Sequence, residues 1–507
     1  MATTLAGIGV NMMKMDRIMN RTNGSLFVLL LSVAALATCG GSSGGGTSDA
    51  GGRGGGGNGD GGPGTSGAAA DGGAGSTGYA LTYDGNGATG GSVPVDSNAY
   101  ASGQSVTVLG NTGNLGYAGY TFVGWQTKAD GSGTTYAPGT TFAMGAGSTT
   151  LYALWAGGYA YAVNQNQGSA GSVSQYTIGP NGALTPMLAP TVVTNGSNSQ
   201  QVAVDPVGHH AYVTNVSSNT ISQFTIGSDG ALTPLSTPIS LGSGPGIYYP
   251  WSIAVHPSGN WVYVSVNQRS TVAQFTIGSD GTLSPMTPST VAAGAYPDTV
   301  AIDPSGKFAY VSNGDANSVS QYTIDPTSGA LSPSNPPAVA TGRNAWFVTV
   351  EPKGRYAYVS SYDDGTVSQY AIDPTTGTLS PLTPPTVSTG GTMAAGIAVD
   401  PSGQYAYVTM SAAVATPSTV IAQFNIDQTN GTLSLMDPPA VSAGGVAADF
   451  IAVDASGKYA YATSGDTGWG STSVAQYTIG ANGALTLMTN ATVLSGYGPT
   501  GIVTLEK

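Results

Sequence analysis

Two residues ahead of each of seven apolar segments, the sequence changes from one segment to the next. The residues at that offset are Gln200, Trp251, Asp298, Trp346, Ala395, Asp449 and Thr500. Tyr249, Arg343 and Asn344 stand just upstream of the same segments. Two indoles with a carboxylate and a guanidinium make a cradle for a sugar or another polar ring. Apolar ring faces stack on the indoles, and fixed polar groups set the orientation. The same two indoles would equally well form a plug, and residue type alone does not choose between the two.

The segments behind these residues hardly vary. They read VAVDPVGHHAYV from Val202, IAVHPSGNWVYV from Ile253, VAIDPSGKFAYV from Val300, VTVEPKGRYAYV from Val348, IAVDPSGQYAYV from Ile397 and IAVDASGKYAYA from Ile451. Tyr159–Val163 is a seventh copy without its first half. The turn residues Asp205, His256, Asp303, Glu351, Asp400 and Asp454 recur at steps of 51, 47, 48, 49 and 54, a period that signals propeller blades. Each copy leads into a segment such as SVSQYTI and then a Pro-rich run. These are short β-prone runs separated by turn residues. Asp-Pro-Ser-Gly suits a type I turn, with the Asp side chain bonding to the backbone. Proline removes ladder donors, which assigns the fourth run to an outer edge. One such sheet cannot bury both its faces, but a ring of them can. The expected fold class is all-β: a seven-bladed β-propeller over 158–507, preceded by a small β-rich module on a Gly-rich linker. The terminal Thr500–Thr504 looks like a first strand without its turn, so it is expected to complete the first blade. The seven Gln that precede an aromatic, Gln175 to Gln476, and the Tyr of each YAYV-type run are expected to be blade-to-blade scaffold.

Acidic residues outnumber basic ones 25 to 12, for a net charge of −13. Phosphate backbones need clustered Lys and Arg, so no nucleic-acid partner is expected. At the start, Lys14, Arg17 and Arg21 precede an apolar run from Leu26 to Ala37, too short for an ordinary membrane span. It ends in Leu36-Ala37-Thr38-Cys39, and Cys39 is the only cysteine. This resembles the lipobox of bacterial lipoproteins, which implies export, lipid attachment at Cys39 and a membrane partner through that anchor. The expected location is the outer membrane, the cell surface or the periplasm. Residues 1–39 are thus read as a signal peptide and 40–78 as a linker, in which 20 of 39 residues are Gly. Such a chain is a flexible coil reaching roughly 35 Å.

Residues 79–156 carry Tyr79-Ala-Leu-Thr-Tyr-Asp-Gly-Asn-Gly, Gly119-Tyr-Thr-Phe-Val-Gly-Trp125 and Leu151-Tyr-Ala-Leu-Trp155 in order. They resemble the Listeria–Bacteroides repeat of bacterial surface proteins, which implies a stalk or interaction module. Asp84, Asn86 and Asp130 are read as turn residues rather than metal ligands, and Trp125 and Trp155 as core.

The long repeats resemble the seven-bladed lactonase-type propellers, a family that includes a 6-phosphogluconolactonase and the YVTN-repeat surface proteins. That resemblance implies lactone chemistry at the tunnel mouth, supported there by His, Arg or Glu. If it holds for this chain, Asp298 is the base, Arg343 the oxyanion stabiliser and Asp449 the spare base. The mouth positions hold no His or Arg, and His209, His210 and His256 read as surface or turn residues on the opposite face, out of reach as bases. No cysteine lies in the folded parts, no His pair has metal-ligand spacing, and no phosphate-cradling loop precedes a helix. The expectation is an exported binding protein with a carbohydrate or other cell-surface ligand at the mouth, without metal or cofactor, and a monomer. A lactone hydrolase and a structural surface-layer component are the alternatives.

Overall fold

The computed structural model of the chain describes residues 78–506 apart from 167–168, 243–247, 411–419, 445–447 and 465–471. The signal-like segment, Cys39 and the linker up to residue 77 lie outside these. Among the described residues the structure is β throughout, with one 3₁₀ turn at Asn267–Arg269.

Seven sheets form the blades. Six have four strands, and in the second blade the outer strand is split into Leu232–Pro234 and Ile239–Ser240. The first blade is closed by the C-terminal strand Pro499–Glu506, which pairs antiparallel with Gly158–Asn164. The two ends of the ring therefore share one sheet. The Pro-rich runs Leu283–Ala292, Leu331–Ala340, Leu379–Ser388 and Leu433–Ser442 are outermost, as prolines require.

The core lies between blades rather than within them. Trp261, Tyr263 and Val272 of blade 3 pack with Val300, Val311 and Tyr322 of blade 4. Phe308 and Tyr310 of blade 4 pack in turn with Val348 and Tyr370 of blade 5. Polar staples repeat at the same places. Gln274 Oε1 accepts the N–H of Leu331 in the next blade at 2.7 Å, while its Nε2 donates to Pro288 O of its own outer strand at 3.1 Å. All seven Gln make the same acceptor bond, the last from Leu184 N to Gln476 Oε1, across the ring closure. The buried Tyr of each second strand donates to a Gly carbonyl in the next blade's outer hairpin, from Tyr161 to Gly230 O through Tyr461 to Gly182 O.

Those hairpin glycines are fixed by geometry. Gly329 and Gly377 have φ of 73° and 71°, and a Cβ there would lie 2.3 Å from Trp261 and 2.2 Å from Phe308. Only glycine meets both demands. The covering residue in each preceding blade is aromatic, and in one blade it is His210 over Gly281.

The small module has a five-stranded sheet and a two-stranded one, with Tyr79–Asp84 parallel to Thr149–Ala156. Trp125 and Trp155 are buried in its core, and their indole N–H groups donate to Leu109 O and Gly85 O. Asp84 accepts the Asn86 N–H at 2.7 Å and Asp130 accepts the Ser132 N–H at 3.0 Å, both turn-forming bonds. The module abuts blade 1. Its Val123 packs against the apolar cluster that blades 1 and 2 share, Gly157 N–H donates to Ile178 O at 2.9 Å, and Thr185 Oγ1 donates to Gly131 O at 3.3 Å.

Candidate functional site

The mouth residues owe their position to a bulge. In blade 3, Pro250 pairs with Val266 and Ile253 with Val264, so Trp251 and Ser252 fall outside the ladder. The same slip occurs at Ser199/Val202, Pro297/Val300, Ala345/Val348, Ala394/Ile397, Ala448/Phe450 and Pro499/Ile502. A bulge re-aims side chains and leaves a backbone carbonyl without its ladder partner. A Ser or Thr in the preceding blade's second strand supplies that partner. Thr214 donates to Trp251 O at 3.0 Å, Ser265 to Asp298 O at 2.6 Å and Ser312 to Trp346 O at 2.8 Å. Ser360, Thr409 and Thr463 do the same for Ala395, Asp449 and Thr500. A repeating hydroxyl belt thus holds a non-repeating ring of side chains.

Within that ring the structure brings together the two indoles. Trp251 of blade 3 and Trp346 of blade 5 meet edge to face, with centroids 6.2 Å apart at 89°. Both are half-buried. Tyr362, which follows the second strand of blade 5, stacks on Trp346 at 4.9 Å and 25°. Blade 4 lies between the indoles, and its own mouth residue, Asp298, is completely buried. Asn267 Nδ2 donates to Asp298 Oδ1 at 3.2 Å, and Gln165 Nε2 donates to the buried Gln200 Oε1 at 2.8 Å. Ala395 and Thr500 are buried and Asp449 is half-buried.

The upstream residues have structural partners. Tyr249 and Asn344 have φ of 52° and 60°, and Asn198, Tyr296, Met393 and Gly498 adopt the same left-handed conformation at the equivalent place. Tyr249 is buried, and burial raises its hydroxyl above the usual pKa. Asn344 donates its N–H to Asn317 Oδ1 at 2.7 Å and its amide to Asp363 Oδ1 at 2.9 Å. Arg343 is exposed, and both its backbone N–H and its Nε bond Asp364, at 2.6 and 2.7 Å. Burial of Asp364 raises its pKa, but the two bonds from Arg343 outweigh that and hold it below the ordinary carboxylate value.

Gln165, Asn267, Tyr362 and Asp364 were not marked by the offset that picked out the ring, because they follow second strands. The histidines sit at the turns. His256 is buried, and its Nε2–H donates to Gly306 O at 2.8 Å in the next blade. His210 lies 3.0 Å from the Asp205 carboxylate. These turns end the first strands whose beginnings form the mouth, about 20 Å away at ~3.3 Å per residue. The mouth therefore offers aromatic walls and amide or carboxylate edges, an arrangement that stacks rings better than it moves protons.

Family comparison agrees with this architecture. The model for the lactonase, 7-bladed beta-propeller family matches over residues 130–248, 172–348 and 340–444, together more than half of the chain. The Listeria-Bacteroides repeat domain matches over 79–154. Two proteins of Evansella cellulosilytica are 47% identical over 78 residues and 42% identical over 81, each match covering 15% of this chain. They are named as a membrane protein and a Gly-rich membrane protein, and the matches span only 11% and 9% of their lengths. Among solved structures, a Bacteroides fragilis protein named as a 6-phosphogluconolactonase is 18% identical with a TM-score of 0.56, covering 69% of this chain and 98% of its own. A Lactobacillus plantarum protein gives 18% and 0.57, with 69% and 99% covered. The periplasmic gluconolactonase of Pseudomonas aeruginosa gives 17% and 0.54, also with 69% and 99% covered. At these identities the structural likeness concerns the fold. By the extent of the family match, the chain belongs to the lactonase family of seven-bladed β-propellers.

Proposed function

We propose that the protein is an exported propeller that binds a carbohydrate or another polar ring at its mouth, anchored to a membrane through Cys39. The observation that carries the binding role is the edge-to-face pair of half-buried indoles, Trp251 and Trp346, backed by Tyr362. Such a wall stacks the apolar face of a sugar, while Asp449 and Gln165, the latter held by Gln200, supply polar edges. The basic leader ending at Cys39, the Gly-rich reach of roughly 35 Å and a module of the surface-protein type support a tethered location. The names of the Evansella relatives point the same way. A glycan array probed with the full chain is the test. Binding that Trp251→Ala and Trp346→Ala both abolish is expected, and an array without a single retained glycan would end this reading.

Lactone hydrolysis is the second reading, favoured by the gluconolactonase names of two structural neighbours. It needs an accessible base. Asp298 is enclosed and Arg343 is engaged by Asp364, which leaves the half-buried Asp449 as the more accessible carboxylate.

A further inference from the structure

Amides make one side of the mouth, and a backbone group fixes how one of them is turned. Gln201 follows Gln200 in the bulge between Ser199 and Val202. Its Oε1 accepts the Ile253 N–H of blade 3 at 3.1 Å, two residues beyond Trp251. The inner strand Pro250–Val255 pairs with Trp261–Val266 alone, so its other edge faces the tunnel. A side chain that takes an N–H from that edge lies along the tunnel wall. Gly501 of blade 1 leaves room for it, since a Cβ there would come 3.1 Å from Gln201 Cγ. A backbone N–H only donates, so the carbonyl of Gln201 must face Ile253. The NH₂ group of this half-buried side chain is left without a partner among the described residues. Gln165, also half-buried, donates its amide to Gln200 Oε1 at 2.8 Å, which leaves its own Oε1 as an acceptor. Trp251 is thus flanked by Trp346 on the blade 4 side and by amides on the blade 2 side.

A donor and an acceptor together suit a sugar hydroxyl, which does both, and suit a phosphate group less, since that only accepts. The charges point the same way. Phosphate recognition uses Arg, Lys or the N-terminus of a helix. Within the blades, the mouth-side loops hold two cations, Arg269 and Arg343, and the others, from His209 to Lys458, belong to the opposite turns. Arg343 is engaged by Asp364, and the exposed Arg269 guanidinium lies over the Tyr248 ring, 4.5 Å from its centroid. The seven mouth positions themselves carry two carboxylates, Asp298 and Asp449, and no cation. A phosphate placed there would be repelled, while an uncharged ring would not.

We propose, resting on the binding reading above, that the mouth selects an uncharged sugar and refuses the same sugar once phosphorylated. The sugar ring lies on the indole wall, and its hydroxyls bond Gln201 Nε2 and Gln165 Oε1. The full chain is applied to an array that carries glucose, galactose, mannose and N-acetylglucosamine beside their 6-phosphates, and each retained sugar is titrated by calorimetry. At least one neutral sugar should bind, and its 6-phosphate should bind about tenfold or more weakly. Gln201→Glu keeps the acceptor for the Ile253 N–H and removes the NH₂ donor, so affinity for the neutral sugar should fall about tenfold. Gln165→Leu removes the acceptor, should weaken binding about threefold, and serves where Gln201→Glu does not fold. A 6-phosphate bound as tightly as its neutral parent, or an affinity unchanged in both variants, would overturn this selection and leave a carbohydrate site at the mouth. An array that retains none of these sugars would overturn the selection, and the binding reading falls with it if the wider glycan array is also empty.

Discussion

The interfaces between blades and the mouth of the ring are built from the same strands, yet they obey opposite rules. Seven times over, a Gln staple, a Tyr-to-Gly carbonyl bond and an aromatic laid over glycine join one blade to the next. At the mouth the seven positions hold Gln, Trp, Asp, Trp, Ala, Asp and Thr. The belt of Ser and Thr hydroxyls lies between these regimes. It satisfies the carbonyl of a bulged residue whatever the side chain, and so lets the mouth vary without disturbing the sheet. A repeated scaffold and a variable rim are thereby separated within a distance of two residues.

That separation can be broken from the scaffold side first. Removing Thr500–Lys507 takes away the strand that pairs with Gly158–Asn164, so the melting temperature should fall by on the order of 10 °C or more. A ring insensitive to this deletion would show that closure contributes little.

Alkaline pH should act next, on all blades at once. Burial pushes the Tyr322 and Tyr370 hydroxyls up to about 12, and the second-strand tyrosines rise for the same reason. In the unfolded chain these groups ionise near 10. The unfolded state therefore loses protons first, and stability is intact below about pH 10 and falls as pH rises through 12. Circular dichroism against pH should show this loss, with a smaller one in Tyr322→Phe.

Gly377→Ala follows, at about 3 kcal/mol, because φ of 71° and a Cβ 2.2 Å from Phe308 act together. Gln321→Leu strands the buried Leu379 N–H and should cost about 1–3 kcal/mol by denaturant unfolding. The smallest effect on stability belongs to the mouth. Trp251→Ala loses an aromatic pair and should shift the melting temperature by only about 1–3 °C, while glycan retention disappears.

The scaffold was legible in the sequence because repetition is itself a physical statement. The same Gln and Tyr in every copy meet the same neighbour, and the terminal Thr500–Thr504 matches the strand that blade 1 lacks. The glycine over which Trp261 and Phe308 lie was equally repetitive, as was the aromatic that covers it, so both were there to be found. The mouth was legible only as a set of positions. The offset located Trp251 and Trp346, but their contact depends on two bulges and on the width of blade 4 between them. It could not report that Asp298 is enclosed, since Asn267 comes from the preceding blade. Nor could it tie Arg343 to Asp364, which lies across a turn in the same blade. Tyr249 and Asn344 occupy a left-handed position that glycine or asparagine also fills in other blades, a signal blurred by Tyr296 and Met393 at the same place.

The most direct test of a mouth that binds rather than reacts is lactone hydrolysis by the full chain. It should be run with 6-phosphogluconolactone and several unphosphorylated lactones, beside Asp298→Asn, Arg343→Ala and Asp449→Asn. The expected result is no turnover above the spontaneous rate in any of the four proteins. Turnover in the parent chain that Asp298→Asn or Asp449→Asn removes, with folding intact, would contradict the account and make the mouth an active site.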